Sequence, residues 1–163
     1  MLTKIFVTPQ AVVNAKNHKR NGEQIILAGG CFDLLHIGHL KFLENAKKFG
    51  GKLFVMLESD KKVSELKGPD RPVFSQDDRA EALAHVKDVD VVIKLPYFAD
   101  DRGYKKLVMD LSPDIIAITE NDPKADKKKM QANSLGAKIE VIKFVKSLSS
   151  SHIAEILMKE KHF

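Results

Sequence analysis

The hydrophobic positions of this chain fall in short continuous runs that are separated by amphipathic stretches. Five of these runs predict strands, at Gln24–Ala28, Leu53–Glu58, Val89–Ile93, Asp114–Ile118 and Lys138–Ile142. Between the runs, apolar residues recur at helical spacing, as in the stretch from Gly38 to Phe49. Continuously apolar strands that alternate with helices are typical of a parallel sheet covered on both faces. We therefore expect an α/β fold, a three-layer sandwich with a Rossmann-like parallel sheet of about five strands.

The first 22 residues precede this alternation. Thr8 and Pro9 suit a helix start, because proline is favoured at the first helical position, and they predict a short polar helix that ends near Arg20. No Gly/Ser-rich linker divides the 163 residues, so we expect one domain over 1–163, with 1–22 as an N-terminal extension. Ligands of such sheets bind at the carboxyl ends of the strands, so the segments that follow the strands are the first candidates for a site.

Composition indicates the cellular compartment in which the chain is expected to function. The sequence holds no run of about 18 apolar residues, the length that predicts a membrane span. Its single cysteine cannot form an internal disulfide, which fits a reducing cytoplasm. We therefore expect a cytoplasmic protein without a membrane partner.

The net charge of +5 is concentrated in one segment, where Lys124, Lys127, Lys128 and Lys129 lie close together. Aromatic residues are not interleaved with these lysines, so a solvated helix face is favoured over a surface that stacks on nucleic-acid bases. A mild positive field would still attract anionic small molecules such as nucleoside triphosphates.

The segment from Gly29 to His39 carries the strongest chemical signal. An apolar strand, a glycine turn and a helix start follow one another here, which is the order of a phosphate-binding corner. Gly29 and Gly30 allow the backbone to approach a phosphate closely. The helix start at Gly38 and His39 presents N–H groups and the positive end of a helix dipole.

Two histidines, His36 and His39, lie three residues apart at that helix start, so both side chains can face one ligand. Imidazoles placed there can donate hydrogen bonds to an α-phosphate and stabilise the charge of a transferring phosphoryl group. The alternatives are two unrelated surface histidines or a zinc pair, whose further ligands are missing at recognised spacing. A thiol nucleophile at Cys31 is a third alternative, although a small filler of a tight turn is favoured. No metal site is expected.

These residues resemble a known family. Gly30-Cys31-Phe32-Asp33 followed by His36-x-Gly38-His39 is similar to the signature of the cytidylyltransferase-like nucleotidyltransferase superfamily. Further matches follow in the order Ser59-Asp60, Leu66-Lys67-Gly68-x-x-Arg71-Pro72-Val73, Asp78-Arg79-Ala80, Val89-Asp90 and Ser149-Ser150-Ser151-His152-Ile153. Together they resemble heptose 1-phosphate adenylyltransferases and, more loosely, glycerol-3-phosphate cytidylyltransferases.

The resemblance implies a set of site residues. His36, His39 and Lys67 would be catalytic, and Lys67 would lie with Arg71 in a flexible loop that neutralises the leaving phosphates. Arg79 either reaches the phosphates or pairs with acids beside it in its own helix. The predicted nucleotide-binding residues are Gly29, Gly30, Cys31, Phe32, Gly38, Arg71, Arg79, Glu120, Asn121, Ser149, Ser150 and Ser151. The three serines would both cap the last helix and bind an anion.

The sequence departs from the family after the fourth predicted strand. Thr119-Glu120-Asn121-Asp122-Pro123 replaces the usual glycine-aspartate loop, which lies over nucleotide and acceptor in the family. A glycerol phosphate, a heptose phosphate and FMN therefore all stay open as acceptor. The cation that precedes the serines in the family is also unmatched, and Lys143 or Lys146 would take its place.

The implied function is the transfer of CMP or AMP from CTP or ATP to a phosphorylated sugar, polyol or other small-molecule acceptor, with release of pyrophosphate. Mg²⁺ would enter with the nucleotide, held mostly by phosphate oxygens and water. Resembling enzymes are often dimers, so a homodimer is expected, without a nucleic-acid partner. The alternative is a non-catalytic nucleotide-binding or regulatory protein of the same fold.

Overall fold

The computed structural model describes residues 4–143, 145 and 149–160, in which strands and helices alternate except where two helices follow the third strand. The strands are β1 (Ile5–Val7), β2 (Ile25–Gly30), β3 (Lys52–Leu57), β4 (Val91–Lys94), β5 (Ile115–Thr119) and β6 (Lys138–Ile142). The helices are α1 (Thr8–Arg20), α2 (Ile37–Lys47), α3 (Asp60–Lys67), α4 (Gln76–Ala84), α5 (Asp101–Leu111), α6 (Ala125–Leu135) and α7 (Ser150–Glu160).

The six strands form one parallel sheet in the order β1-β4-β3-β2-β5-β6. This confirms the predicted α/β class, and the described strands number one more than the five expected. The missed strand is β1, which is too short to show a periodic pattern and lies at the edge beside β4, with Ile5 opposite Val92. The predicted N-terminal extension therefore supplies a strand of the sheet and, through α1, part of one covering layer.

Apolar side chains of β2 point alternately to the two faces of the sheet, and helices cover both faces. Ile26 and Ala28 belong to the core cluster that α2 and α4 close with residues such as Leu43 and Leu83. The opposite face, beneath α1, α5 and α6, buries a second cluster that includes Leu27. Burial on both faces explains why the strands are continuously apolar rather than alternating.

The strand order reverses at β2, since β3 lies on one side of it and β5 on the other. Such a reversal opens a crevice at the carboxyl ends of the strands, where ligands of open α/β sheets bind. None of the helices in the described ranges is long and apolar enough to span a membrane.

Candidate functional site

The predicted phosphate corner lies where β2 ends and α2 begins. Gly29 and Gly30 are still part of β2 and pair with Met56 and Leu57 of β3, so the turn follows the glycines rather than containing them. In that turn Phe32 adopts a left-handed backbone with φ of 44°. A Cβ atom on Gly30 would lie 3.0 Å from the Phe32 ring, so the glycine lets the ring approach the end of the strand.

His36 and His39 lie side by side at the start of α2, with ring centroids 3.9 Å apart. His36 is the N-cap of the helix, and its Nδ1 accepts a hydrogen bond of 3.1 Å from the amide of Gly38. Because Nδ1 accepts, the proton of neutral His36 is on Nε2. The structure therefore brings the two histidines together, as their spacing predicts.

Both histidines are held neutral. Burial, together with the nearby His36 and Lys67, lowers the pKa of His39 to about 4. Burial and Lys67 also lower the pKa of His36. Near pH 7 each ring therefore carries one N–H, which can donate a hydrogen bond to a phosphate oxygen.

Lys67 places a fixed cation beside the two histidines. It is the last residue of α3 rather than part of a loop, which corrects the prediction from sequence. Its Nζ donates a hydrogen bond of 3.0 Å to Oγ of Ser150, a side chain that is only 4% exposed. This contact joins the end of α3 to the start of α7, so the two elements are already close together at the corner.

The three serines expected to act together have three different environments. Ser149 caps α7, since its Oγ accepts a hydrogen bond of 3.2 Å from the amide of His152. Ser150 is the buried partner of Lys67, whereas Ser151 is exposed. Capping and contact with the corner are thus divided between neighbouring residues.

Arg71 is buried, not extended over an open phosphate site. Its Nε donates a hydrogen bond of 2.5 Å to the Asp33 carboxylate. The same carboxylate accepts hydrogen bonds from the backbone amides of Val73 and Phe74. Burial works against the charge of Asp33, yet the Val73 amide and the Arg71 guanidinium outweigh it and hold the pKa of this carboxyl below its usual value. Arg71 therefore anchors the segment after α3 to the turn after β2.

Arg79 supports the backbone of the corner, a role that sequence reasoning missed. It is 2% exposed, and it pairs with the carboxylate of Asp60 at 2.7 Å rather than with an acid of its own helix. Its other donors bind, at 2.6, 2.9 and 3.0 Å, the carbonyls of Cys31, Glu58 and Phe74. These bonds tie the ends of β2 and β3 to the start of α3.

The environment of Cys31 does not suit a nucleophile. The side chain is half-buried, and burial raises the pKa of its thiol, so the thiol stays protonated near neutral pH. This favours the prediction of a small filler in the turn.

The segment after β5 lies at the surface. Glu120 and Asn121 are both exposed in a turn, and the amide of Glu120 donates to the carbonyl of Ile142 at 3.0 Å. Lys143 is exposed as well, and Lys146 lies outside the described residues.

A cavity of about 930 Å³ opens beside the corner and continues between α5 and α6. The predicted site residues that line it are Gly29, Gly30, Cys31, Phe32, His39 and Lys67. The predicted residues that do not line it are His36, Gly38, Arg71, Arg79, Glu120, Asn121, Ser149, Ser150 and Ser151. The structure thus divides the predicted site residues into those that line the cavity and those that do not.

Glu58 and Tyr104 face this cavity and were not found from sequence. The hydroxyl of Tyr104 donates a hydrogen bond of 2.8 Å to Glu58. Burial raises the pKa of Glu58, and burial together with Glu58 raises that of Tyr104. The signal that could have found Glu58 is its place at the carboxyl end of a predicted strand. Tyr104 comes from a helix 46 residues further on and has no such signal.

Three of the four clustered lysines also line the cavity, namely Lys124, Lys127 and Lys128. Lys127 pairs with Asp101 at 2.5 Å, and Lys128 pairs with Asp122 at 2.6 Å. Lys129 is exposed on the same helix and does not line the cavity. The expectation of a solvated helix face therefore agrees with the exposure of Lys124, Lys127 and Lys129, whereas Lys128 is half-buried.

Comparison with known proteins places the chain in a family. The cytidylyltransferase-like family model matches residues 27–159. The bifunctional protein HldE of Sulfurimonas denitrificans is 43% identical over 113 residues, which are 69% of this chain and 22% of that protein. The HldE protein of Methylobacillus flagellatus is 38% identical over 92% of this chain and 30% of its own length. The chain thus spans less than a third of these curated relatives.

Solved structures agree with this assignment. The lipopolysaccharide core biosynthesis protein from Thermoplasma volcanium is 28% identical, with a TM-score of 0.62 over 77% of this chain and 99% of that one. Pantoate-beta-alanine ligase from Francisella tularensis has a TM-score of 0.69 at 16% identity, which supports the fold alone. The matched residues include the whole phosphate corner, and the resemblance seen in the sequence is confirmed: the chain belongs to the cytidylyltransferase-like family.

Proposed function

We propose that the protein transfers CMP or AMP from CTP or ATP to a phosphorylated small-molecule acceptor. An oxygen of the acceptor phosphate forms a bond to the α-phosphorus, and the bond from that phosphorus to the bridging oxygen of the β-phosphate breaks. Pyrophosphate leaves with that electron pair. The observation that carries the proposal is the pair of neutral, adjacent histidines, of which His39 lines the cavity together with Lys67.

The chain's own residues position and neutralise rather than exchange protons. An ionised acceptor phosphate needs no general base, so placing it in line with the α-phosphate supplies much of the rate. His36 and His39 would donate hydrogen bonds to oxygens that gain charge in the transition state. Lys67 would neutralise the leaving pyrophosphate, with its ammonium group positioned by the 3.0 Å hydrogen bond to Ser150.

Mg²⁺ belongs to this proposal as part of the nucleotide substrate. The described residues hold no cluster of three or more histidines, cysteines or carboxylates able to bind a metal. The carboxylates that line the cavity are Glu58, Asp101 and Asp122, and each already has a hydrogen-bonded partner. This donor set fits an ion that arrives bound to phosphate oxygens and water. A single domain, a cytoplasmic location and a homodimer stay predictions from the sequence.

The test is pyrophosphate release from each of the four Mg-nucleoside triphosphates with a panel of phosphorylated acceptors. We expect release with CTP or ATP and a strong loss of it in His39→Ala. His85→Ala, at an exposed position at the end of α4, is the matched control. Tight nucleotide binding without release for any acceptor would instead support the non-catalytic alternative, and absence of nucleotide binding would overturn both.

A further inference from the structure

Glu58 and Tyr104 form a polar pair where the phosphate corner meets the rest of the cavity. Glu58 directly follows β3, and its amide donates a hydrogen bond of 3.1 Å to the carbonyl of Gly30 at the end of β2. Tyr104 belongs to α5 and lines the cavity where it continues between α5 and α6, a part that we call the cleft. A substrate group bound by this pair would therefore lie next to the end of β2, where the corner begins.

Both side chains are held in place by the protein itself. The carbonyl of Glu58 accepts a hydrogen bond of 2.9 Å from Nη2 of Arg79, so the backbone of Glu58 is fixed from two sides. The Tyr104 ring packs edge-on against Phe98, with ring centroids 4.9 Å apart. Gly103 leaves room for Phe98, because a Cβ atom on this glycine would lie 2.2 Å from the Phe98 ring. The 2.8 Å hydrogen bond from the Tyr104 hydroxyl to Oε2 of Glu58 completes the arrangement.

The pair keeps two hydrogen-bond acceptors that the protein does not use. Oε2 of Glu58 is bound by Tyr104, whereas Oε1 receives no hydrogen bond from the part of the chain that the structure describes. Oε1 is accessible rather than enclosed by protein, and Glu58 lines the cavity. A hydroxyl that donates can still accept, so Oη of Tyr104 is the second acceptor. Two acceptors on groups that are 2.8 Å apart suit two hydroxyls on adjacent carbon atoms.

The charges around Glu58 disfavour ionic partners for these acceptors. A phosphate group would be repelled by the carboxylate. An ammonium group would meet other cations: burial raises the pKa of Glu58, and the positive charges of Lys124, Lys62 and Lys128 oppose that rise. Nζ of Lys124 also lies 5.6 Å from the centre of the Tyr104 ring. Neutral hydroxyl groups avoid both repulsions and satisfy both acceptors.

Resting on the proposed function, we propose that Glu58 and Tyr104 select a substrate with two neighbouring hydroxyl groups and bind these hydroxyls beside the corner. One hydroxyl donates to Oε1 of Glu58 and the other to Oη of Tyr104. The hydroxyls of a polyol or sugar phosphate acceptor and those of the ribose of the nucleoside triphosphate share this chemistry.

Probes that differ by one hydroxyl test the assignment, with one arm for each source, in isothermal titration calorimetry. The acceptor arm compares glycerol 3-phosphate with 3-hydroxypropyl phosphate, which lacks the middle hydroxyl. The nucleotide arm compares Mg-ATP and Mg-CTP with their 3′-deoxy forms. We expect the wild-type protein to bind the hydroxylated probe of one arm about tenfold more tightly, which is the gain of one hydrogen bond to a charged group. Equal binding within every pair of probes would overturn the proposal.

Variants assign the preference to this pair of side chains. Glu58→Leu should reduce the tenfold preference to about twofold or less, because it removes one acceptor and the group that orients the other, while the deoxy probe binds about as in wild type. Tyr104→Phe, which keeps the carboxylate, should reduce the preference by about threefold. A contact that only joins β3 to α5 would instead make each variant weaken both probes alike, and that result would overturn the proposal.

A second tyrosine–glutamate pair provides the matched control. The Tyr97 hydroxyl donates to Glu65, yet neither residue lines the cavity. Glu65→Leu and Tyr97→Phe should therefore leave the preference for the hydroxylated probe unchanged. A loss of preference in these two variants as large as in Glu58→Leu would contradict the assignment to the cavity.

Pyrophosphate release separates this assignment from the proposed function. Release whose dependence on the hydroxyl is the same in wild type and in Glu58→Leu would refute the assignment and keep the function. A binding preference that Glu58→Leu abolishes, without release from any Mg-nucleoside triphosphate, would refute the function and keep the hydroxyl site. Release in which Glu58→Leu raises KM for the substrate that carries the hydroxyls, more than it lowers kcat, supports both.

Discussion

The phosphate corner is held together by buried hydrogen bonds, whereas the cleft between α5 and α6 is bridged by exposed ion pairs. Around the corner, buried guanidinium groups bind specific partners, as Arg79 does with three carbonyls and Arg71 with Asp33. The cleft is the part of the cavity between α5 and α6, has both polar and apolar lining residues, and is joined at its edge by surface contacts such as Lys127 with Asp101. Buried hydrogen-bond networks fix geometry, whereas exposed pairs do so weakly.

The contrast indicates which half of the reaction each region serves. Transition-state stabilisation needs donors that are positioned before the substrate arrives, and His36 and His39 are placed in that way by the N-cap bond and by ring contacts. An acceptor site can differ between relatives without disturbing those donors. We infer that the corner sets the chemistry and the cleft sets the choice of acceptor.

The largest expected effect comes from removing a donor at the corner. His39→Ala should lower kcat on the order of 10²–10³-fold, because it removes one preorganised hydrogen bond to the transferring phosphoryl group. Tyr104→Phe removes one hydrogen bond in the cleft and should mainly raise KM for the acceptor, by roughly tenfold or less. Steady-state kinetics of both variants with the same substrates measures the two effects. Equal losses of kcat would contradict the assignment of chemistry to the corner and of acceptor choice to the cleft.

The next largest effect is on stability rather than on turnover, and we expect it from Arg79→Met. It removes a hydrogen-bond donor from the carbonyls of Cys31, Glu58 and Phe74 and the partner of Asp60, and it should lower the free energy of unfolding by about 3 kcal/mol. Arg102→Met is the matched control in the cleft, where the side chain is 92% exposed, and it should change stability by less than about 0.5 kcal/mol. Urea denaturation of the two variants measures the difference. A mild effect of Arg79→Met would mean that the corner is not held by this guanidinium.

The sequence predicted the corner far better than the cleft. The corner's central residues, from Gly29 to His39, form one short segment whose order of strand, turn and helix start has a direct physical meaning. The cleft combines Leu27, Val108, Ile116 and Met130, which are apolar in any packed α/β fold and reveal a cleft only when α5 and α6 are placed.

The contacts of Arg71 and Arg79 within the protein could not be predicted from the sequence for the same reason. Arg71 and Arg79 match the family's motif, and the motif gives residue types in order but not the direction of the side chains. Their partners are Asp33, 38 residues from Arg71, and Cys31, 48 residues from Arg79. Long-range contacts of this kind follow from the packing of α3 and α4, which periodicity alone does not provide.

The pH dependence of stability tests how firmly the corner encloses His39. Its pKa is about 4 in the folded protein against 6.5 for an ordinary histidine, so the unfolded chain binds more protons between these values. Stability should therefore fall as the pH drops from 6.5 towards 4, by roughly 1–3 kcal/mol from this group. Thermal melts of wild type and His39→Gln across that range isolate the contribution. Parallel curves for the two proteins would show that His39 is not enclosed.

The smallest effect separates two neighbouring serines at the edge of the corner. Ser149→Ala removes the cap of α7 and should cost about 1 kcal/mol of stability, while the stabilisation gained from Mg-nucleoside triphosphate stays as in wild type. Ser150→Ala instead removes the partner of Lys67, so it should reduce that stabilisation. Ser151→Ala, at an exposed position, should change neither quantity. Melting temperatures of the three variants with and without nucleotide give both quantities at once. If Ser150→Ala gains as much from nucleotide as wild type does, the contact between α3 and α7 is structural only, and the corner ends at Lys67.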